Sequence, residues 1–322
     1  MNSETLLIDY VENWLMTDQK YHVKQATFDR NLTSFNKLKE YDIANIAIGE
    51  ITRSDIQQYV NRLTEDGYAL TTIKKQMGIV AAPLKMAAAE HLIQNNPVYQ
   101  IRLPHEDNVG KAKKEIVAYS AQEQDALWRV LNTRARRGYA VIGLMLETGL
   151  RIGEALALTW DDVRVFEKKL HVHRTVIRLP NKKESKVQDS PKSHASNRII
   201  PLSPRARVIL QSLYEARKNE WVFIDDKYNE RLSYEAMRYQ TQRACEEAGI
   251  AYHGTHVFRH TFATNCYYKG MNVKILSKIL GHNDVETTYN TYIHLYGDGF
   301  EDMYNALCGN DKKSATRYGG LH

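Results

Sequence analysis

The stretch TGLRIGEALAL, residues 148–158, determines how the second half of the chain is interpreted. An apolar run from Ala140 to Glu147 predicts a buried helix that ends at Thr148-Gly149, and the next helix is predicted to begin near Arg151 and run to Leu158. Glu154 follows Arg151 by three positions, which places both on one helical face. A guanidinium at a helix N-terminus favours an anion through its fixed fork and the helix dipole. The alternative is a surface Arg–Glu pair, which contributes little.

Downstream of this stretch, further polar residues lie at predicted element ends and turns. His256 and Arg259 form a helical pair after Gly254-Thr255, and His282 follows the helix-ending Gly281. Tyr292 comes ten residues after His282, and Lys192 lies in a loop. Together with Arg151 and Glu154, they can neutralise a phosphate, move protons and attack with a phenol. Each also has a plainer interpretation, as a helix-capping histidine, a packing tyrosine or a lysine of the basic loop 181–192.

A metal site is a competing interpretation of the same histidines. His253, His256 and His260 form a local cluster, and the spacing of four between the last two suits zinc. Arg259 stands among them and would oppose a cation, and no acidic partner lies nearby in the sequence. We therefore expect no metal and no other cofactor.

Composition favours nucleic acid only weakly. The net charge is +6 and the isoelectric point is about 9.0. Residues 1–104 carry eleven Lys and Arg against twelve Asp and Glu, so the basic excess lies in the remainder. The sequence contains no apolar run of membrane-spanning length, no basic signal-peptide start and only three cysteines without paired spacing. These features predict a cytoplasmic protein with no membrane contact.

The apolar spacing in the first hundred residues predicts four helices, at 3–17, 24–40, 52–67 and 70–93. The third, from Thr52 to Gly67, is predicted to begin with a capping box. A charged segment, 104–115, is the predicted linker, and a capping box at Ser120 to Glu123 begins the second domain. Beyond it, three β-rich runs predict a small antiparallel sheet: Val163–Phe166, Leu170–Val176 and Asn197–Leu202. Residues 181–192 are the expected hairpin tip, and Trp221–Ile224 is a further short strand. Helices are predicted after Ser203, Ser233, Thr255 and Asn272. The fold class is mainly α with a small antiparallel β-sheet.

Five segments in this order resemble the tyrosine recombinases, the phage integrase family of site-specific recombinases. They are TGLRIGEALAL (148–158), SPKSHASNRIIPL (190–202), HVFRHTFAT (256–264), LGH (280–282) and TTYNTYIHL (287–295). The helical first domain, ending in NPV (96–98), resembles the family's core-binding domain. The resemblance implies a SAM-like core-binding domain at 1–103, a linker at 104–115, an α+β catalytic domain at 116–310 and a tail at 311–322.

The resemblance also implies a role for each matching residue. Tyr292 is the expected nucleophile that forms a 3′-phosphotyrosyl bond with DNA, with Tyr289 as its rival. Arg151 and Arg259 match the two arginines that clamp the scissile phosphate, and Lys192 matches the lysine that protonates the leaving 5′-oxygen. His256 matches a histidine that accepts the proton of the tyrosine or binds the phosphate. His282 matches a phosphate-binding histidine, and Glu154 matches a supporting acid. Ser196 and Arg198 are expected at DNA or on the sheet surface.

By the same resemblance, the partner is duplex DNA with inverted core sites, bound by a homotetramer, with a directionality factor or host DNA-bending protein as further partners. Lys74 and Lys75 are expected to contact DNA. The expected function is integration and excision of a mobile element. Alternatives are Xer-like dimer resolution, type IB topoisomerase-like relaxation, and a catalytically silent DNA-binding protein. The segment that follows Tyr292, residues 298–322, is expected to dock on a neighbouring subunit, or else to fold back on its own domain.

Overall fold

A computed structural model describes residues 1–109, 117–133, 137–178, 185–188 and 197–292. The chain divides into two compact units, residues 1–115 and 116–322, each with its own buried apolar core. The predicted linker, 104–115, falls in the first unit, and its residues from 110 onward lie outside the described part. None of the described helices has the length and apolar character needed to cross a membrane.

The first unit is helical, as predicted. Its helices are α1 (Leu7–Trp14), α2 (Lys20–His22), α3 (Gln25–Leu38), α4 (Arg53–Glu65) and α5 (Leu70–Ala89), with a π-helical turn at Leu15–Gln19 and 3-10 turns at Asp42–Asn45 and Glu106–Asn108. The capping box before α4 is confirmed, because the Thr52 backbone N–H donates to Asp55 Oδ2 at 2.8 Å and the Asp55 N–H donates to Thr52 Oγ1 at 3.3 Å.

The end of α5 differs from the prediction. The helix stops at Ala89 rather than at residue 93, because His91 adopts a left-handed backbone conformation with φ of 57°. The Leu92 N–H then donates to the Ala87 carbonyl at 2.9 Å, which is the hydrogen bond of a Schellman termination. Asn95-Asn96-Pro97 therefore follows the helix and does not stop it.

The second unit contains eight helices among its described residues. They are α6 (Ala121–Thr133), α7 (Arg137–Thr148), α8 (Ile152–Leu156), α9 (Pro204–Glu215), α10 (Tyr234–Ala248), α11 (His256–Tyr268), α12 (Val273–Leu280) and α13 (Val285–Tyr292), with a 3-10 turn at Trp160–Asp162. The predicted caps Ser203, Ser233 and Asn272 each accept a backbone N–H from the first turn of the following helix. The Ser120–Glu123 capping box is also confirmed.

The predicted three-stranded sheet is present, with additional strands beside it. The strands are β1 (Val163–Arg164), β2 (Lys169–Val172), β3 (Thr175–Arg178), β4 (Ser185–Gln188), β5 (Arg198–Pro201), β6 (Ile224–Asp225) and β7 (Glu230–Arg231). β1, β2 and β5 form one antiparallel sheet in that order, with Leu170 opposite Ile200. β3 pairs with β4, and β6 pairs with β7, each antiparallel.

The predicted strand Leu170–Val176 is confirmed only as far as Val172, because the chain leaves the sheet at His173 and Arg174. Both side chains bind the buried Asp162 carboxylate, His173 Nε2 at 2.8 Å and Arg174 Nη2 at 2.6 Å. The residues that follow join the separate β3–β4 hairpin, so part of the predicted tip 181–192 is strand. The predicted strand Trp221–Ile224 is also displaced, since Trp221 makes only an isolated bridge to Thr159.

Helix α7 lies at the centre of the second unit and packs against α6, α9, α10 and α11. It ends at Thr148 and is followed by Gly149, whose φ is 67°. A Cβ at this position would lie 2.5 Å from Cδ1 of Phe262 in α11, so both the backbone conformation and the close approach require glycine. The tight turn brings the N-terminus of α8 next to α11.

Candidate active site

Arg151 and Glu154 form a pair at the start of α8. Arg151 is the N-cap residue, and its backbone N–H donates to Glu154 Oε2 at 2.9 Å while its Nη1 donates to Oε1 at 2.8 Å. Glu154 is only 5% exposed, whereas the Arg151 side chain remains partly accessible. A buried carboxylate therefore fixes both the backbone and the guanidinium of Arg151. The alternative of a surface ion pair is wrong.

Arg198 is the second partner of Glu154. It donates from Nη2 to Oε2 at 2.8 Å and from Nη1 to Oε1 at 3.1 Å, and its Nε donates to the Ile279 carbonyl at 2.6 Å. The expectation that Arg198 lies on the sheet surface is wrong, because the residue is 8% exposed. Side chains alternate along β5, so Arg198 and Ile200 point inward while Ile199 points to solvent. Arg198 thus joins β5, α8 and the end of α12.

The two guanidinium groups hold Glu154 ionised. Burial raises the pKa of this carboxyl, but hydrogen bonds and positive charge from Arg198 and Arg151 outweigh burial and lower it to about 2. Glu154 is therefore an anion at neutral pH. One carboxylate between two guanidinium groups leaves a local excess of positive charge on the side where Arg151 is accessible.

We expect Glu154→Gln to lower the free energy of unfolding by about 3 kcal/mol at pH 7, because it leaves the buried Arg198 without its counter-ion. The pKa in the folded protein, about 2, is below the ordinary value of 4.5, so this stability is fully present above pH 4.5 and is lost as pH falls toward 2. Urea unfolding of both proteins between pH 7 and pH 3 measures the difference. Glu167→Gln, at an exposed acid, is the control. A constant difference across this range would contradict the account.

Arg259 connects two turns at the same site. It lies in the first turn of α11, is 4% exposed, and donates from Nη1 to the Gly149 carbonyl at 2.9 Å. Its Nη2 lies 2.8 Å from Nε2 of His282. Phe258, on the adjoining face, is fully buried in the core. The guanidinium is therefore held between the α7–α8 turn and the residue that follows α12.

His282 directly follows Gly281, which ends α12 in a left-handed conformation as predicted. Its Nδ1 lies 2.6 Å from Oγ1 of Thr288 in α13. Burial, together with the smaller effect of the charges of Arg259, Arg151 and Arg198, lowers the pKa of His282 to about 4. The imidazole is therefore neutral at physiological pH.

His256 and His260 are neutral for related reasons. Partial withdrawal from water lowers the pKa of His256, and the charges of Arg259 and Arg151 add to this effect. Burial lowers the pKa of His260 to about 4, with His256 and Arg259 contributing. The His256 residue retains solvent exposure at the start of α11. A neutral, accessible imidazole beside two guanidinium groups can accept a proton.

Tyr292 is the last described residue of the second unit and the C-terminal residue of α13. It lies four residues after Thr288, and residues at this spacing share a helical face. Thr288 is fully buried and contacts His282. Tyr289 is 44% exposed and lies one position after Thr288, about a quarter turn round the helix. The position of Tyr292 along the helix is therefore nearer to the face that meets His282.

The structure brings together Arg151, Glu154, Arg198, His256, Arg259 and His282. Lys192 and Ser196 lie outside the described residues, as does the tail 311–322. Sequence reasoning missed Thr288 and the inward position of Arg198. The spacing of four residues from Tyr292 could have indicated Thr288. The alternation of Arg198 with the apolar Ile200 could have indicated that Arg198 points inward.

The zinc interpretation of His253, His256 and His260 has no geometric support within the described part of the chain. The three do not bring ligand atoms together there, and the set that does comprises Asp162, His171 and His173. Asp162 already pairs with His173 and Arg174, and its pKa is lowered because those partners and the Thr159 backbone outweigh burial.

Comparison with known proteins decides the family. The model of the phage integrase family matches residues 118–298, more than half of the chain, and the model of the phage integrase SAM-like domain matches residues 6–103. The chain belongs to the phage integrase family. Members of this family are tyrosine recombinases, enzymes that cleave and rejoin DNA strands.

Curated relatives of this tyrosine recombinase span much of its length. A XerC-like tyrosine recombinase of Caldanaerobacter subterraneus subsp. tengcongensis is 26% identical, over 91% of this chain and 80% of the relative. The transposase of transposon Tn916 from Enterococcus faecalis is 24% identical over 80% of this chain and 66% of its own. Transposase A of Tn554 from Staphylococcus aureus is 28% identical, but the chain spans only 53% of that relative's length.

Solved structures share the fold. The Tn1549 transposon integrase in complex with a circular intermediate DNA aligns with a TM-score of 0.79 at 20% identity, covering 94% of this chain and 99% of that one. A lambda integrase tetramer bound to a Holliday junction aligns with a TM-score of 0.67 at 17% identity, covering 89% and 77%. The mainly helical fold with small antiparallel sheets is therefore that of the integrases, as predicted.

Proposed function

We propose that this recombinase integrates and excises a mobile element by site-specific strand exchange through a phosphotyrosyl bond at Tyr292. One arrangement supports the proposal. Arg151 and Arg259 are held in place by buried partners, and the neutral imidazoles of His256 and His282 lie beside them. This group is next to the helix that bears Tyr292. The Tn916 transposase and the Tn1549 transposon integrase support the mobile-element context.

The proposed reaction begins with the scissile phosphate between the two arginines. Guanidinium groups at this position offset the charge that builds on the non-bridging oxygens, and such stabilisation is commonly the largest catalytic contribution. The Tyr292 hydroxyl oxygen attacks phosphorus, and neutral His256 accepts the phenolic proton. The bond from phosphorus to the 5′-oxygen breaks, and Lys192 gives that oxygen a proton. Attack by a 5′-hydroxyl reverses these steps, so rejoining requires no nucleotide hydrolysis.

The proposed partner is duplex DNA with inverted core sites, bound by a homotetramer. The related Tn1549 integrase was solved with DNA, and the related lambda integrase was solved as a tetramer on a Holliday junction. We extend this assembly to the present chain, with a directionality factor or a host DNA-bending protein as accessory partners. On this proposal the enzyme acts in the cytoplasm, on nucleoid DNA.

The first unit has a concave surface whose lining includes three basic residues, Arg30, Lys37 and Lys75, and one acid, Glu40. Residues of α3 and α5 line it, including Arg30, Asn31, Lys75 and Gly78. Lys75 and Arg30 are exposed. Lys74, the preceding residue of α5, is also exposed, and we propose it as a second phosphate contact beside this surface. The unit's charges are balanced overall, so a one-sided placement of basic residues is what would let it bind phosphate.

We expect Lys74→Glu with Lys75→Glu to weaken DNA binding about tenfold and to reduce the slope of log affinity against log salt by about 2, because each phosphate contact contributes about 0.9 to that slope. Lys39→Glu reverses one exposed lysine of the same unit outside α5, and it controls for the effect of a single charge reversal elsewhere on the unit. Fluorescence anisotropy with duplex DNA over a salt series gives both quantities. Equal slopes in the double variant and the wild type would remove these lysines from the interface.

Covalent trapping from a randomised duplex library tests the function itself. Wild-type protein is incubated with the library, denatured with detergent, and the DNA attached to protein is sequenced. Enrichment of one inverted site supports the recombinase proposal, and an absence of adducts would favour a silent DNA-binding protein. Fusion of cut ends from two labelled duplexes that carry the enriched site separates strand exchange from topoisomerase-like relaxation. If the enriched sequence occurs at the ends of a mobile element and not at a chromosomal dimer-resolution site, the Xer-like role is excluded.

A further inference from the structure

Thr288 is buried in α13 and is hydrogen-bonded to one ring nitrogen of His282, a candidate catalytic residue. The other ring nitrogen of His282 also has a hydrogen-bond partner. His282 Nδ1 lies 2.6 Å from Thr288 Oγ1, and His282 Nε2 lies 2.8 Å from Arg259 Nη2. A guanidinium has donors and no acceptor, so His282 Nε2 must accept a hydrogen bond from the Arg259 Nη2–H. In the neutral ring the single proton is then on Nδ1, and His282 donates it to the Thr288 hydroxyl oxygen.

This arrangement cannot also bind a phosphate through Nε2. An unprotonated ring nitrogen presents a lone pair, which repels an anionic phosphate oxygen. For His282 to donate from Nε2 to a scissile phosphate, the ring must hold its proton there instead, and Nδ1 then becomes an acceptor. A partner on Nδ1 that can only accept would oppose this change, and a partner that can only donate would oppose the starting Nδ1–H tautomer.

A hydroxyl can do both, because it has one rotatable donor and two acceptor lone pairs. We propose that Thr288 is a positioning residue that serves His282 in both tautomers, accepting from Nδ1–H in the free enzyme and donating to Nδ1 when Nε2–H binds phosphate. The second part rests on the proposed recombinase function. The first part concerns the DNA-free protein alone.

Thr288 also fixes the helix of the proposed nucleophile. It lies one turn before Tyr292 on the same face of α13, and α13 packs against α12, which leads into His282. A single side chain thus holds both the imidazole and the helix that must present the phenol to the same phosphate. The neighbouring Thr287 has the same chemistry but is exposed, which makes it a matched control.

The contact is tested in the free protein by NMR with ¹⁵N-labelled histidine, with His282→Asn used to assign the signal. We expect wild type and Thr288→Ser to carry the His282 proton on Nδ1, with slow exchange against water. Thr288→Val, which keeps the shape and removes the hydroxyl, should lose that protection, whereas Thr287→Val should not. A resting His282 with its proton on Nε2, or unaltered exchange in Thr288→Val, would overturn the proposal.

The catalytic part is tested by single-turnover adduct formation on the duplex enriched by wild-type trapping. We expect Thr288→Val to slow adduct formation about tenfold, since one buried hydrogen bond is lost, with DNA affinity unchanged. Thr288→Ser should stay within about twofold and Thr287→Val should match wild type. Wild-type rates in Thr288→Val would overturn the positioning role. A wild-type protein that forms no adduct would instead reject the recombinase proposal, and the proton measurement would still decide the Thr288 contact.

Discussion

Replacing Tyr292 with phenylalanine is expected to abolish the covalent protein–DNA adduct, a loss of about 10³-fold or more in single-turnover cleavage. The phenol oxygen is the atom that would bond to phosphorus, and no other group at this position on α13 can replace it. DNA affinity should stay within about twofold, because one hydroxyl contributes little to an interface dominated by phosphate contacts.

Tyr289→Phe is the matched control for this result. Tyr289 is on the same helix, three residues earlier and exposed, and its loss should leave adduct formation intact. Full activity in Tyr292→Phe together with loss in Tyr289→Phe would transfer the role to Tyr289. It would also contradict the argument from the buried face marked by Thr288.

Replacing Arg259 with glutamine is expected to reduce cleavage by about 10² to 10³-fold, the range found when one donor to a developing negative charge is removed. Arg259 is the guanidinium that binds both the Gly149 carbonyl and His282 Nε2. Lysine should not restore the activity, because a single ammonium cannot reproduce two directed hydrogen bonds from a planar fork.

A change in pH dependence separates this role from a loss of folding. The Arg259 charge helps to lower the pKa of both His256 and His282. Without that charge both pKa values should rise toward 6.5, so the histidines become protonated at higher pH. The acid limb of the pH–rate profile should therefore move to higher pH in Arg259→Gln. Arg238→Gln, at an exposed arginine, should leave the profile unchanged. An unshifted acid limb with intact folding would contradict the assigned electrostatic role.

Local signals in the sequence predicted much of the fold. The capping residues Thr52, Ser120 and Ser203 each act within three or four residues, and their hydrogen bonds form as expected. The Arg151–Glu154 spacing likewise places both groups on one short helix. Such features depend on chain neighbours alone, which is why sequence reasoning reaches them.

The misplaced features depend on partners far along the chain. The strand break at His173-Arg174 follows from the buried Asp162, eleven and twelve residues earlier, and nothing in the β-rich run 170–176 indicates it. Arg198 is drawn inward by Glu154, which is 44 residues away. A charged residue in a strand suggested a surface position, but the buried carboxylate supplied the counter-ion that makes burial tolerable.

A transient bond between DNA and Tyr292 is tested most directly by mass spectrometry of the trapped complex. The adduct formed on the enriched duplex is digested with nuclease and protease, and the peptide that carries a nucleotide is sequenced by fragmentation. We predict a phosphotyrosyl nucleotide on Tyr292, attached through the 3′-phosphate. A nucleotide on Tyr289, on a histidine or on a 5′-phosphate linkage would contradict the account.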